Sequence, residues 1–108
     1  MTESELVRQC LEWLSWKGIV CWRQNQGAIP LPNGKGFRRF VGMRGVSDIL
    51  CILAPTGRIA AIECKRKGGR LSEDQEKFQE AVASLGGVAC CVSSVEELIA
   101  DLKEAGVS

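Results

Sequence analysis

Three charged residues, Asp48, Glu63 and Lys65, lie within two apolar runs in the middle of the chain, at 48–53 and 58–66. An ionised group that is buried without a partner costs several kcal/mol, or its pKa shifts until the group is neutral. Charges in such segments therefore need a chemical reason.

The two runs predict a β-hairpin, because four residues that include Pro55 and Gly57 separate them. Side chains alternate across a strand, so Glu63 and Lys65 share one face. Antiparallel pairing brings the start of one strand, where Asp48 lies, beside the end of its partner. We therefore expect the three charged groups to converge at one end of a sheet.

Two carboxylates at one point form a hard-oxygen site of the kind that Mg²⁺ or Mn²⁺ prefers. A bound cation would neutralise Asp48 and Glu63, which would otherwise repel each other and raise one pKa. Lys65 could orient or deprotonate an attacking water, or stabilise charge on a phosphate. The alternative is a structural ion pair in a binding module, which we disfavour because such a pair is often no more stable than apolar residues.

The elements that position these residues follow from periodicity and turn residues. We predict a helix from Thr2 to about Lys17, a strand at 19–23, a long loop at 24–47 with a short strand around 37–41, the hairpin, a helix from Ser72 to about Leu85, a strand at 88–92 and a helix at 94–104. The helices are predicted to start at capping boxes formed by Thr2 and Glu5, by Ser72 and Gln75, and by Ser94 and Glu97.

The strand at 88–92 is wholly apolar, as expected of a strand buried on both faces, and the helix before it predicts parallel pairing with the hairpin. The fold class is therefore an α/β sandwich with a central mixed β-sheet. A chain of 108 residues is the size of a single domain, which we place at 1–108.

The net charge of +1 hides a basic middle third. Residues 35–70 carry nine basic and two acidic side chains, and residues 71–108 carry two basic and eight acidic ones. The two acids of the middle third are Asp48 and Glu63. A local basic field of this kind attracts a polyanion, whatever charge the rest of the surface carries.

Asp48, fourteen further residues and then Glu63-Cys64-Lys65 resemble the PD-(D/E)xK nuclease pattern, with Val46-Ser47-Asp48 in place of Pro-Asp. Within that superfamily the chain resembles the VRR-NUC domain (virus-type replication-repair nuclease). The segments that carry this likeness are an early helical glutamate, Arg23 to Gly27, Gly45 to Leu50, Ile62 to Arg66, Leu71-Ser72 with Gln75, and Gly86-Gly87 before a strand. The resemblance implies a restriction-endonuclease-like fold.

The resemblance also implies metal-dependent hydrolysis of DNA phosphodiester bonds, with Mg²⁺ or Mn²⁺ as cofactor. Asp48 and Glu63 would be metal ligands, and Lys65 would lie beside the nucleophilic water. Gln75 is a further catalytic position of the family, although the same side chain could simply close its capping box with Ser72.

The family uses one more glutamate, from the first helix, and Glu3 and Glu5 are both candidates. Glu3 lies three residues before Leu6 and seven before Cys10, which predicts that it lies on the inward face. Glu5 has a capping role and is predicted to look outward. We therefore favour Glu3 as the catalytic acid and third metal ligand.

Small members of the family resemble Holliday-junction resolvases that work as dimers. The resemblance thus implies a structure-selective, homodimeric endonuclease acting on branched or duplex DNA, with a role in DNA repair. The alternative is a non-cleaving DNA-binding module that retains the nuclease fold.

Candidate DNA contacts are Arg23, Asn25, Arg38, Arg39, Arg44, Arg66, Lys67 and Arg70. The basic residues after the hairpin are favoured for phosphate contact, because they follow the paired acids, whereas the loop arginines 38, 39 and 44 could equally serve solubility. For Trp13, Trp16 and Trp22 we favour core packing or a dimer contact over base stacking.

The six cysteines lie in apolar or strand-like segments, and the chain has no histidine and no CxxC pair. We therefore predict free thiols and disfavour a disulfide framework or a thiol or zinc protein. No apolar run approaches the roughly 18 residues of a membrane span. We expect an intracellular, cytoplasmic protein of viral or bacterial origin with no membrane partner.

Overall fold

The computed structural model describes residues 1–24, 28–30, 37–39 and 44–107. Its helices are α1 (Glu3–Trp16), α2 (Glu73–Ser84) and α3 (Val95–Glu104). Its strands are β1 (Val20–Arg23), β2 (Ala28–Pro30), β3 (Phe37–Arg39), β4 (Ile49–Leu53), β5 (Arg58–Cys64) and β6 (Val88–Val92). The predicted α/β class is confirmed.

The main sheet has the strand order β1-β4-β5-β6. β1 pairs antiparallel with β4, β4 pairs antiparallel with β5, and β6 joins β5 in parallel. The mixed sheet, the hairpin and the parallel last strand are thus as predicted. Ile49 lies opposite Ile62 in the hairpin. Continuing that register by one residue places Asp48 opposite Glu63 at the open end of the hairpin.

β2 and β3 form a separate antiparallel pair, in which Ala28 lies opposite Arg39 and Pro30 lies opposite Phe37. The sequence predicted one short strand in this region, around 37–41, and missed β2. The reason is the composition of β2, Ala-Ile-Pro. Proline has no backbone N–H to donate to a neighbouring strand, and alanine has low strand propensity.

The core lies between one face of the sheet and helices α1 and α3. It contains Leu6, Val7, Cys10, Leu14, Ile49, Cys51, Leu53, Ala60, Ile62, Cys64, Val88, Cys90, Val92, Leu98 and Leu102. Four cysteines are part of this core, and all six have free thiols, as predicted. Cys91, which lies in the strand that was expected to be buried on both faces, is exposed.

Helix α2 contacts β5 and β6 on the other face of the sheet. The expectation that β6 is buried on both faces is wrong, because β6 is an edge strand and α2 leaves Cys91 uncovered. An apolar sequence therefore does not distinguish a central strand from an edge strand that is half covered.

Two of the three predicted capping boxes form completely, at Thr2 and at Ser72. At α3 only half of the box forms. The Ser94 hydroxyl accepts a hydrogen bond from the Glu97 N–H at 3.1 Å, but the Glu97 carboxylate accepts from the N–H and the hydroxyl of Ser93 at 2.8 and 2.7 Å.

The described helices, of 14, 12 and 10 residues, all fall short of the length and apolar character that crossing a bilayer requires.

Candidate active site

Asp48 and Glu63, called the acid pair below, lie at the open end of the β4–β5 hairpin. Asp48 is half-buried, and its Oδ2 accepts a hydrogen bond from the backbone N–H of Cys64 at 2.8 Å. Its backbone carbonyl accepts from the N–H of Gln24, directly after β1, at 2.8 Å. Asp48 is therefore fixed to both neighbouring strands.

Glu63 is almost completely buried, with 2% of its surface exposed. Its Oε1 accepts a hydrogen bond from Gln75 Nε2 at 3.1 Å. Its Oε2 is buried and has no hydrogen-bond partner among the described residues. A buried polar atom without a partner is uncommon because losing its hydration costs free energy. The site thus contains a buried acceptor that no group of the described residues satisfies.

Burial, together with the charge of the neighbouring Asp48 carboxylate, raises the pKa of Glu63 to about 8. The Lys65 ammonium and the Ser47 hydroxyl act in the opposite direction. Glu63 is therefore largely protonated at neutral pH when nothing neutralises the acid pair. A cation beside it would favour the charged form.

The donor set fits a small hard cation. The acid pair supplies two carboxylates, and Glu63 Oε2 is an orphaned oxygen whose burial a cation would offset. In residues 1–24, 28–30, 37–39 and 44–107, no group of three or more Cys, His, Asp or Glu side chains is arranged to hold a metal. The acid pair would therefore share its cation with water and phosphate oxygens, which is how Mg²⁺ is commonly bound.

The first helix does not place Glu3 as expected. Glu3 and Glu5 are both exposed, and burial along α1 begins at Leu6. The prediction that Glu3 faces inward is wrong. Glu3 lies on the same side of α1 as Leu6 and Cys10, but the rest of the protein covers this side only from Leu6 onward. Glu5 accepts a hydrogen bond from the Thr2 N–H at 3.3 Å, which confirms its capping role.

A cleft of about 520 Å³ lies at the start of α1. It is lined by Met1, Thr2, Glu3, Glu5 and Arg66. Both candidate glutamates thus lie near the segment that follows β5. Neither belongs to a metal-binding group with the acid pair among the described residues.

Lys65 is the first residue after β5 and is half-buried. Its backbone N–H donates to the carbonyl of Val92 at 3.0 Å, which anchors it to the end of β6. Its ammonium lies near enough to Glu63 to lower the pKa of that carboxyl group. The structure therefore brings Lys65 together with the acid pair, as the alternation of the strand predicted.

The sequence left open whether Gln75 caps α2 or belongs to the site, and in the structure its side chain does both. Its Oε1 accepts a hydrogen bond from the Ser72 N–H at 2.8 Å, and its Nε2 donates to Glu63. The cap at the start of α2 and the site therefore share one side chain.

Sequence reasoning missed two further residues at the site, Ser47 and Gln79. Gln79 Nε2 donates to the Ser47 hydroxyl at 2.8 Å and to the Ala61 carbonyl at 3.2 Å. A signal was present in the sequence, because Gln79 lies one helical turn after Gln75 and three residues before Val82. A polar residue on the sheet-facing side of an amphipathic helix indicates a specific partner.

The described basic candidates are exposed, namely Arg23, Arg44, Arg66, Lys67 and Arg70. Arg23 ends β1 opposite Ile49 and thus lies at the same end of the sheet as the acid pair. Asn25 lies outside the described residues, and so do the side chains of Arg38 and Arg39 in β3. Among the tryptophans, Trp13 packs against the core, while Trp16 and Trp22 are 81% and 39% exposed.

Comparison with known families gives one match. The family model of the VRR-NUC domain matches residues 2–96, which run from the start of α1 into α3 and include the acid pair and Lys65. No curated protein matches the chain in a sequence comparison.

Proposed function

Since the chain belongs to the VRR-NUC domain family, a PD-(D/E)xK-like nuclease domain with a DNA-processing function, we propose that it is a Mg²⁺- or Mn²⁺-dependent DNA endonuclease. The observation that carries this proposal is the buried, unpartnered Oε2 of Glu63 beside Asp48 and Lys65. The fold keeps an ionisable oxygen out of water with no hydrogen-bond partner in the part of the chain that the structure describes, which a ligand of the acid pair explains.

The acid pair would hold the cation. When bound, such an ion supplies a positive charge that lowers the pKa of a coordinated water and stabilises the charge that develops on a phosphate. Gln75 occupies Oε1 of Glu63 and so leaves Oε2 for this role. The Cys64 N–H occupies Oδ2 of Asp48 and holds its carboxylate at the strand end.

Lys65 is the candidate for moving or holding a proton at the attacking water. Its backbone is anchored to Val92, and its ammonium lies near the acid pair. The ammonium could orient the water or stabilise the charge that develops on the phosphate oxygens. The exposed basic residues after β5 would bind the DNA backbone, and Arg23 and Arg44 would extend this contact.

Homodimeric action on branched DNA is also part of the proposal. It is supported by the family resemblance, since small members of the family resemble Holliday-junction resolvases that work as dimers. Two-fold symmetry suits a substrate that is cut on two strands. A role in DNA repair inside the cell follows from that substrate.

The test is cleavage of labelled four-way junction, flap and linear duplex DNA with Mg²⁺ or Mn²⁺. We expect Asp48→Asn and Lys65→Met to lower the cleavage rate at least about a hundredfold while DNA binding is retained. The matched control is Lys77→Met, which removes an exposed lysine of α2 that pairs with Glu73. If the wild type binds these substrates but cuts none of them with either metal, the chain is a non-cleaving DNA-binding module and the proposal is wrong.

A further inference from the structure

We propose that Gln79 is a positioning residue that sets the separation of the acid pair by joining the two segments that carry it. This inference rests on the proposed function, because it concerns how the chain prepares the acid pair for a cation. Gln79 itself touches neither carboxylate among the contacts described.

The side-chain amide nitrogen of Gln79 bridges the two segments that carry Asp48 and Glu63. It donates to the Ser47 hydroxyl at 2.8 Å and to the Ala61 carbonyl at 3.2 Å. Ser47 immediately precedes Asp48, and Ala61 lies two residues before Glu63 on the same strand face. One NH₂ group therefore fixes the position of the Asp48 segment relative to the strand that carries Glu63.

Burial makes this bridge stiff. Ser47 is fully buried and Gln79 is 9% exposed, so water does not compete for either hydrogen bond. Burying an amide costs free energy that an apolar side chain of similar length would not. Packing alone therefore does not explain a glutamine at this position, whereas a requirement for two directed donors does.

The rest of the contact between α2 and this segment agrees with that role. Gln75 and Gln79 lie one turn apart on α2, and they hold Glu63 and Ser47 respectively. Gly45 lies so close to the helix that an added Cβ would be 2.1 Å from the Asp74 carbonyl oxygen. Helix α2 thus acts as a template on which both carboxylates are placed.

The first experiment is calorimetric titration of Mn²⁺ into the metal-free protein without DNA. We expect Gln79→Met, which keeps the length of the side chain but has no donor, to weaken Mn²⁺ binding about tenfold or more, as loss of an outer partner does in metal sites. Ser47→Ala is a small change that removes the acceptor, and we expect the same loss. The double variant should bind no more weakly than Gln79→Met, because the bond that Ser47→Ala removes is already absent from Gln79→Met.

The matched control is Val82→Ala, one turn further along α2, which removes packing against Gly87 without touching Ser47. Val82→Ala should lower the free energy of unfolding and leave Mn²⁺ affinity within about twofold of wild type. The second readout is cleavage, which saturating Mn²⁺ should restore in Gln79→Met. A residue with only a structural role would show no such rescue.

The outcomes separate the two proposals. If the wild type binds Mn²⁺ and cuts DNA, and both Gln79→Met and Ser47→Ala bind Mn²⁺ as the wild type does, the positioning role is wrong and the proposed function stands. If the wild type neither binds Mn²⁺ nor cuts DNA, the proposed function fails and the positioning role with it.

Discussion

At Glu63 a proton and a metal ion compete for the same buried carboxylate. Burial and the neighbouring Asp48 raise its pKa to about 8, so the neutral form dominates at pH 7 in the absence of a cation. The side chain is fixed through Oε1, so the competition takes place at Oε2. This single group should therefore connect stability, pH and metal binding.

The stability of the metal-free protein should fall as pH rises from about 5 to 8. The folded-state pKa of Glu63 lies above its ordinary value of 4.5, so the folded state binds more protons than the unfolded state in this window. The stabilising contribution is complete below about pH 4.5 and is lost as pH passes 8. We expect a loss on the order of 3 kcal/mol, measured from urea unfolding in the presence of a chelator.

The control variants for this prediction are Glu63→Gln and Glu73→Gln. Glu63→Gln has no proton to lose, so its unfolding midpoint should change much less between pH 5 and 8. Glu73 is exposed, and Glu73→Gln should follow the wild type. A wild-type midpoint that stays level or rises across this range would show that Glu63 is ionised in the folded protein without a cation.

Binding of Mn²⁺ should release close to one proton at pH 7 and almost none at pH 9.5. A group with a pKa of about 8 is mostly protonated at the first pH and ionised at the second, and a cation binds the ionised form. Calorimetric titration in two buffers of different ionisation enthalpy measures the number of protons. Equal apparent enthalpies in both buffers at pH 7 would contradict this prediction.

The sequence was informative about which residues meet, but less so about their surroundings. Strand alternation and hairpin pairing correctly predicted that Asp48, Glu63 and Lys65 converge. The inward placement of Glu3 was wrong, because helical spacing shows which side of a helix faces the core but not how far along the helix the core extends. The unpartnered Oε2 depends on the packing of single atoms, which no spacing rule describes.

At the scale of elements, the contact between α2 and residues 45–48 determines the site. Gly45 has φ +76°, a conformation that favours glycine, and it packs against the backbone of Asp74 and Gln75. The N-cap of α2 is Ser72, so the position of this cap determines where Gln75 and Gln79 lie on the helix.

Gly45→Ala should destabilise the protein more than Gly57→Ala does. Both glycines have positive φ, so both variants carry backbone strain of about 1–2 kcal/mol. A Cβ at Gly57 would meet nothing within 4 Å, whereas one at Gly45 would overlap the Asp74 carbonyl, which should add about 1–3 kcal/mol. Urea unfolding of both variants measures the difference.

Mn²⁺ titration of the same two proteins provides a second comparison. Gly45→Ala should also weaken Mn²⁺ binding, because α2 can no longer approach the acid pair, and Gly57→Ala should not. Equal losses of stability in the two variants would mean that the loop and the helix adapt to the extra methyl group.

Most element boundaries could be predicted within one or two residues, since caps and glycines mark them chemically. β4, β5 and α2 were found in this way, and they are the elements that carry the site. β2 was missed because its composition opposes its conformation. The exposure of Cys91 could not be read from an apolar strand, since it depends on which strand ends the sheet and where α2 lies.

At the scale of the whole molecule, charge divides the surface. The segment after β5 carries exposed Arg66, Lys67 and Arg70, while residues 71–108, which include α2 and α3, carry eight acids and two bases. A DNA backbone should therefore bind beside the acid pair and be repelled by the acidic helices.

The salt dependence of DNA binding should fall when this segment is neutralised. Replacing Arg66, Lys67 and Arg70 with Gln should reduce the slope of log K against log salt by about 2–3, because each phosphate contact releases counterions. An Asp48→Asn background prevents cleavage during the titration. Fluorescence anisotropy of a labelled duplex at several salt concentrations measures the slope.

The matched control replaces Arg8, Lys17 and Lys103 with Gln, which changes net charge by the same amount at exposed positions of α1, its C-cap and α3. Its slope should remain near that of the parent. If both triple variants lose the same slope, net charge and not the segment after β5 governs DNA binding.

Every side-chain hydrogen bond described at the acid pair joins residues between Gly45 and Gln79, while backbone bonds to Gln24 and Val92 and the pairing of Glu63 with Cys91 reach beyond that stretch. That stretch is 35 residues long in a chain of 108. A random genetic crossover therefore falls inside it only about one time in three, and otherwise passes these side chains to the recombinant together. The compact order of these residues along the gene keeps the side-chain contacts of the site linked in inheritance, while β1 and β6 must come from sequence that still fits them.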